Sequence, residues 1–249
     1  MTTDSEVRVE RDGGVGILTL AAPDRRNALT LSMAKAMTAA CDELDADASV
    51  GAVVIAAEGK TFCAGGDRET LAAAGENPAD PDTYDGMGAI YRAFTRVGEL
   101  ATPTIAAIAG HAVGAGMNLA LATDLRIVAE DVMLTSGFLG IGLHPGGGHT
   151  ALLARTGARE AAAALALFGE RIDGRRAVEL GLAWKAVPAE AVLDTALELA
   201  RVPAADPDLA RRTTRSLRLS IGPPALSWPA ALETERSVQM WSMRRKARG

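Results

Sequence analysis

Two rhythms of apolar residues alternate along the chain. VRVE and VGILTL flank Asp12-Gly13-Gly14, and this pattern predicts a β-hairpin. From Leu31 to about Asp45, Leu31, Ala34, Met37 and Leu44 recur at helical spacing, with Thr30 or Ser32 available as the cap. GAVVIAA (51–57), PTIAAIAG (103–110) and DLRIVAE (124–130) are short, continuous apolar runs. Continuous rather than alternating apolarity is the mark of strands covered on both faces. Further helices are predicted from Gly88 to Leu100, after the loop HAVGAG, from about His149, and through REAAAALALFGE. A short strand is expected after Val132 and another at Ala183–Val187. The polar, proline-rich stretch 76–86 reads as a mobile loop.

Strands alternating with helices predict an α/β fold. No tandem repeat is visible in the sequence. Beyond Pro188 every segment reads as helix, interrupted only at ADPD (205–208) and IGPPA (221–225). This change divides the chain into an α/β core, residues 1–190, and a helical C-terminal region, residues 191–249.

Composition narrows the partners more than the fold. A chain of 249 residues that is 48% hydrophobic can bury a full core. Its net charge of −5 is unlike the basic footprint of a nucleic-acid binder, and the terminal RRKARG reads as a solvated tail. Cys41 and Cys63 make neither a disulfide framework nor a metal-ligand spacing, which points to a reducing cytoplasm and to no metal. The N-terminus MTTDSEVRVE is polar and acidic, unlike a signal peptide. The longest apolar runs, such as 161–168, are too short to cross a bilayer.

Candidate chemistry lies in two loops of the same design. VVIAAEGKTFCAGGD and TIAAIAGHAVGAGMN each run strand, glycine-rich loop, helix. Small residues let the backbone approach a ligand closely, and a helix N-terminus offers unpaired N–H groups to an anion. On these features alone both loops are equally consistent with ordinary βα turns. A dinucleotide-binding loop is a weaker alternative, because neither carries the full G-x-G-x-x-G pattern. The first loop contains Gly59-Lys60-Thr61, but Val54 stands where the full G-x-x-x-x-G-K-[ST] pattern needs its first glycine, so a Walker phosphate loop is excluded.

Four segments together make a more specific pattern: PDRRNAL (23–29), GKTFCAGGD (59–67), GHAVGAGMNLALATDLRIVAE (110–130) and GIGLHPGGG (140–148). In this order and spacing, from about residue 7 to about 220, they resemble the crotonase superfamily, the enoyl-CoA hydratase/isomerase family. The resemblance implies a spiral of ββα units with a helical C-terminal trimerisation region, assembled as a homotrimer or hexamer. It implies an acyl-CoA thioester as substrate, with coenzyme A entering as part of that substrate and no separate cofactor. It places the N–H groups of Gly66 and Ala115 on the thioester oxygen, as an oxyanion hole for an enolate. Arg25, Arg26, Ala64, Asp67 and Arg68 match the family's coenzyme A groove. The bland readings of these side chains are surface solubility for the arginines and a helix N-cap for Asp67.

The sequence departs from the family where acid and base usually stand. The two glutamate positions of the typical hydratase hold Asn118 and Phe138, and neither side chain transfers protons. Asn118 remains a candidate hydrogen-bond donor and Phe138 a wall of the acyl pocket. His144, in GLHPGGG, is the candidate acid/base, against a structural role in the turn. His111 reads as structural, and His149 as a first-turn helix residue on the far side of the turn. Two functions stay open: an acyl-CoA-processing enzyme with atypical acid/base groups, and a non-catalytic acyl-CoA binding protein.

Overall fold

The computed structural model describes residues 6–220 and 228–248. The interruption expected at IGPPA and the first five residues of the acidic N-terminus lie outside these. The chain opens with the expected hairpin of β1 (Val7–Asp12) and β2 (Val15–Leu20), antiparallel from Val7 opposite Leu20 to Asp12 opposite Val15. Helix α1 (Leu31–Ala46) follows. Thr30 caps it, its hydroxyl accepting from the Met33 N–H at 3.2 Å.

Three turns of a common plan come next. The first is β3 (Ala52–Ala57), β4 (Thr61–Cys63), α2 (Arg68–Glu76) and α3 (Pro81–Glu99). The second is β5 (Thr104–Ile108), β6 (His111–Val113) and α4 (Ala115–Ala122). The third is β7 (Leu125–Ala129), β8 (Leu134–Thr135), α5 (His149–Thr156) and α6 (Arg159–Ala166). Each turn gives its first strand to one sheet and its second to another. The chain continues through β9 (Arg171–Ile172), α7 (Gly174–Glu179), β10 (Lys185–Val187), α8 (Val192–Ala204), α9 (Pro207–Ser220) and α10 (Trp228–Arg248). The larger sheet has the order β1-β2-β3-β5-β7-β10 and is parallel from β2 onward. The smaller has the order β4-β6-β8-β9, parallel except for β8 with β9. This is the expected spiral of ββα units.

Residues 76–86 are not a loop. Asp80 caps α3 by accepting from the Thr83 N–H at 3.0 Å, and Pro81 occupies the first helical position. Proline is tolerated there because its missing N–H would have no helical partner. Only 77–80 stay outside helix, and α3 begins seven residues before the expected Gly88.

Helix α8, after Pro188, contributes to the core. α8 packs on β3, β5 and β7, and Val192, Ala196 and Ala200 are fully buried along its inner face. α9 is fastened by ion pairs. Arg218 reaches Asp124 at 2.8 Å, and Asp124 also accepts from the Thr104 N–H and hydroxyl. Arg211 reaches Asp45, which also accepts from Arg96 and the Ala101 N–H. Burial raises the Asp45 pKa, but these donors outweigh it and hold the carboxyl below its usual range. No helix among the described residues is long and apolar enough to cross a membrane.

Candidate active site

The first glycine loop is built on Asn27. This buried residue sits in the left-handed region at φ 52°, and its side chain is saturated by backbone. Its Oδ1 accepts from the Ala22 N–H at 2.8 Å, and its Nδ2 donates to the Glu58 and Thr61 carbonyls at 2.9 and 2.8 Å. Asn27 thereby ties the PDRRNAL segment to the β3–β4 connection. Residues 26–29 then run alongside 64–67. Ala64 donates to the Arg26 carbonyl, Leu29 to the Gly65 carbonyl, and Asp67 to the Leu29 carbonyl. In a parallel bridge of this kind the bonds come from the residues either side of Gly66, so the N–H of Gly66 itself faces away from Leu29.

The second loop delivers Ala115 as the first residue of α4. N–H groups in the first turn of a helix have no partner within it and lie at its positive end. Two glycines bring the loops together. A Cβ on Gly65 would stand 2.9 Å from the Val113 carbonyl oxygen and 3.4 Å from the Ala115 nitrogen. A Cβ on Gly116 would stand only 2.1 Å from the carbonyl oxygen of Cys63, at the end of β4. Alanine at Gly116 gains about 1 kcal/mol in helix propensity. The overlap with an immobile backbone oxygen costs about 3 kcal/mol. The clash should win, and Gly116→Ala is expected to lower the urea midpoint with an unchanged slope.

A cleft of about 520 Å³ runs between the loops. It brings together nearly every residue singled out in the sequence. Gly66 and Ala115 line it, as do Arg25, Arg26, Ala64, Asp67 and Arg68. Arg26 and Arg68 are exposed at its rim. Arg25 is ion-paired with Glu6. Asp67 caps α2, accepting from the N–H and hydroxyl of Thr70 at 3.0 Å, which is its bland reading. Met87, Ile90 and Tyr91 of α3 give the cleft an apolar side, and Phe138 and Leu143 extend it.

Three expected residues fall differently. Asn118 is buried beneath the cleft and is not among its lining residues; its Nδ2 donates to the Gly146 carbonyl at 2.9 Å. His144 also lies outside the lining, and its Nδ1 donates to the Pro145 carbonyl at 2.7 Å. His149, expected on the far side of the turn, points inward and is fully buried. Its Nδ1 lies 2.7 Å from Asn118 Oδ1, and its Nε2 lies 2.6 Å from the Ser136 hydroxyl. The ring of Phe138 meets the imidazole edge-on, centroids 5.0 Å apart. Burial pushes the His149 pKa down to about 4, so the ring is neutral at pH 7. His111 is structural, its Nδ1 accepting from the Met133 N–H at 3.0 Å between β6 and β8.

Ser136 and Gln239 line the cleft without having been singled out in the sequence. Gln239 comes from α10 and packs so closely on Gly146 that a Cβ there would lie 2.1 Å from its amide. No local signal marks either residue, because each gains its place from partners far along the chain.

Known proteins resemble this chain in sequence and in fold. Residues 10–239 match the family described as enoyl-CoA hydratase/isomerase. A Mycobacterium tuberculosis protein named as a probable enoyl-CoA hydratase is 40% identical over 216 residues, covering 86% of this chain and 82% of its own. The 1,2-epoxyphenylacetyl-CoA isomerase of Escherichia coli is 34% identical over 195 residues, 78% of this chain and 74% of its own. Among solved structures, that of OdaA from Pseudomonas aeruginosa superposes with a TM-score of 0.85 at 30% identity, over 98% of this chain and 96% of that one. On this evidence the chain belongs to the enoyl-CoA hydratase/isomerase family.

Proposed function

We propose that the chain is an enzyme acting on acyl-CoA thioesters, with atypical acid/base groups. The thioester oxygen is received by the N–H groups of Gly66 and Ala115. The observation that carries this reading is the abutment of the two loops at Gly65, next to the Ala115 nitrogen, inside a cleft lined by both. Negative charge developing on the thioester oxygen meets two fixed donors there. One such donor contributes about 3–4 kcal/mol to a transition state.

The polar mouth of the cleft suits the phosphates of coenzyme A, with Arg26 and Arg68 exposed on it. The apolar side suits the acyl chain. Asn118 and Phe138 at the glutamate positions argue against ordinary hydration, which needs a proton donor and acceptor flanking the β-carbon and α-carbon. A cytoplasmic homotrimer or hexamer completes the reading.

Calorimetry and turnover assays on one panel of acyl-CoAs, varied in chain length and unsaturation, test the reading together. Binding in the micromolar range with product from at least one member is the expected result. Binding without product from any member would make the chain a carrier. No binding at all would remove the thioester from the cleft.

A further inference from the structure

Three side chains that the sequence holds 13 and 31 residues apart meet beneath the cleft. Asn118 comes from α4, Ser136 follows β8, and His149 opens α5. The direction of each hydrogen bond between them follows from one backbone group. The Gly146 carbonyl only accepts, so the Asn118 atom facing it is Nδ2. Asn118 Oδ1 therefore faces His149 and also only accepts, so His149 Nδ1 carries a hydrogen. In a neutral ring Nε2 is then a bare lone pair. It lies 2.6 Å from Ser136 Oγ, so the serine hydroxyl donates to it. This is the polarity that an activated serine requires: a hydroxyl on an imidazole nitrogen, with the other nitrogen held by an oriented acceptor.

Ser136 also lies next to the second glycine loop, and only 2% of its surface is exposed. Thr135, the residue before it, pairs with Val113, and its carbonyl accepts from the Gly114 N–H at 3.1 Å. Ser136 is thus one residue beyond the pairing that seats the Ala115 loop. It lines the same cleft as Gly66 and Ala115. Phe138 packs its ring edge-on against the imidazole and helps to fix its plane. A neutral, buried imidazole is available as a base throughout the neutral range.

We propose that Ser136, His149 and Asn118 form a nucleophilic relay and that the chain hydrolyses acyl-CoA thioesters through an acyl ester on Ser136. The proposal rests on the acyl-CoA reading above and names its reaction. Ser136 Oγ attacks the thioester carbon, its proton passes to His149 Nε2, and the carbonyl electron pair moves to the oxygen held by Gly66 and Ala115. That pair returns as the C–S bond breaks, and the departing sulfur takes the proton from Nε2 and leaves as coenzyme A thiol. Water then attacks the ester carbon and gives a proton to Nε2. The second tetrahedral species collapses, Ser136 Oγ recovers its proton, and a carboxylic acid is released. The net reaction consumes one thioester and one water and needs no oxidant, reductant or metal. Asn118 acts as a positioning residue, fixing the tautomer of His149. No carboxylate is needed at 118 or 138, which accounts for both departures from the family pattern.

The test measures thiol release and acyl-CoA binding side by side over the acyl-CoA panel, with the chain digested and mapped by mass after mixing with each substrate. The expected result is thiol release with an acyl adduct on the peptide carrying Ser136. Ser136→Ala should lower thiol release at least about 100-fold while binding changes by less than about threefold. Asn118→Asp should move the acid limb of the rate profile to higher pH, because a carboxylate beside Nδ1 raises the imidazole pKa, and a merely structural Asn118 would not do this. Adduct mapping on the unaltered chain needs no variant to fold. Binding with equal thiol release from the Ser136→Ala chain, or binding with no thiol release and no adduct, overturns the relay and leaves the acyl-CoA reading standing. Failure of every acyl-CoA to bind overturns both.

Discussion

Gly65→Ala should lower kcat/KM toward any acyl-CoA that is turned over by about 100-fold or more. The methyl group has one collision to resolve, with the Val113 carbonyl at 2.9 Å, and it would also touch the Ala115 nitrogen at 3.4 Å. Gly65 also sits at φ +95°, where a side chain adds strain of about 1–2 kcal/mol. Relief requires the first loop to back away from the second, which separates the N–H groups of Gly66 and Ala115. Losing one oxyanion donor costs about 100- to 1000-fold in rate. Strain and clash together cost about 2–4 kcal/mol against a total of about 5–15 kcal/mol, so the urea midpoint should fall and rates are compared where the variant is still folded. Steady-state kinetics beside urea titration make the measurement. Unchanged kcat/KM in a folded variant would mean that the two amides do not share one oxygen.

How much of this was legible in the sequence depends on the length of the signal. The strands of the large sheet are five or six residues long for the most part, and β3, β5 and β7 carry enough continuous apolarity to be read directly. The strands of the small sheet have two or three residues each. No period can be established over two residues, so this sheet exists only through its partners. The threefold ββα plan is hidden for the same reason: what repeats is the alternation between two sheets, and the residues that perform it differ each time. Asp80-Pro81 reads as loop in the sequence because the residues that punctuate a loop also open a helix. A proline at the first helical position and an aspartate before it favour continuation, and the four buried residues Met87, Ile90, Tyr91 and Phe94 draw the segment into the fold.

The candidate site divides along the same line. The two loops were readable because a glycine-rich segment before a helix has a local chemical meaning, and the resemblance to the family singled out Gly66 and Ala115 within them. The side-chain features were not. His144 has the more suggestive neighbourhood in sequence, six residues beyond Phe138, yet it donates to its own chain neighbour's carbonyl outside the cleft lining. His149 looks like an ordinary opening residue of a helix. It turns inward because Gly148 and Gly147, both with positive φ, swing the chain back toward α4 before α5 begins. Its two partners lie 13 and 31 residues earlier, a separation no local pattern reports.

That inward turn has a large thermodynamic signature. The unfolded chain protonates this histidine near pH 6.5, while the folded chain, which buries it among Asn118, Ser136 and Phe138, resists protonation until about pH 4. Between these values the unfolded state binds more protons, so stability falls as pH falls. The contribution is fully present above about pH 6.5, shrinks through the interval and is gone below about pH 4, and it amounts to about 3 kcal/mol. Other displaced groups act elsewhere. Glu6 and Asp45 are held below their ordinary values of 4.5 and 3.8, so their contributions are lost at the acid end of this window and beyond it. Burial pushes Cys41 and Cys63 up to about 12, which costs stability only above about pH 9. Urea midpoints measured from pH 7 to pH 4 should therefore fall steeply, and in His149→Gln the slope between pH 6.5 and 4.5 should largely disappear. Equal slopes in both chains would mean that the imidazole keeps an ordinary pKa and is not buried among Asn118, Ser136 and Phe138.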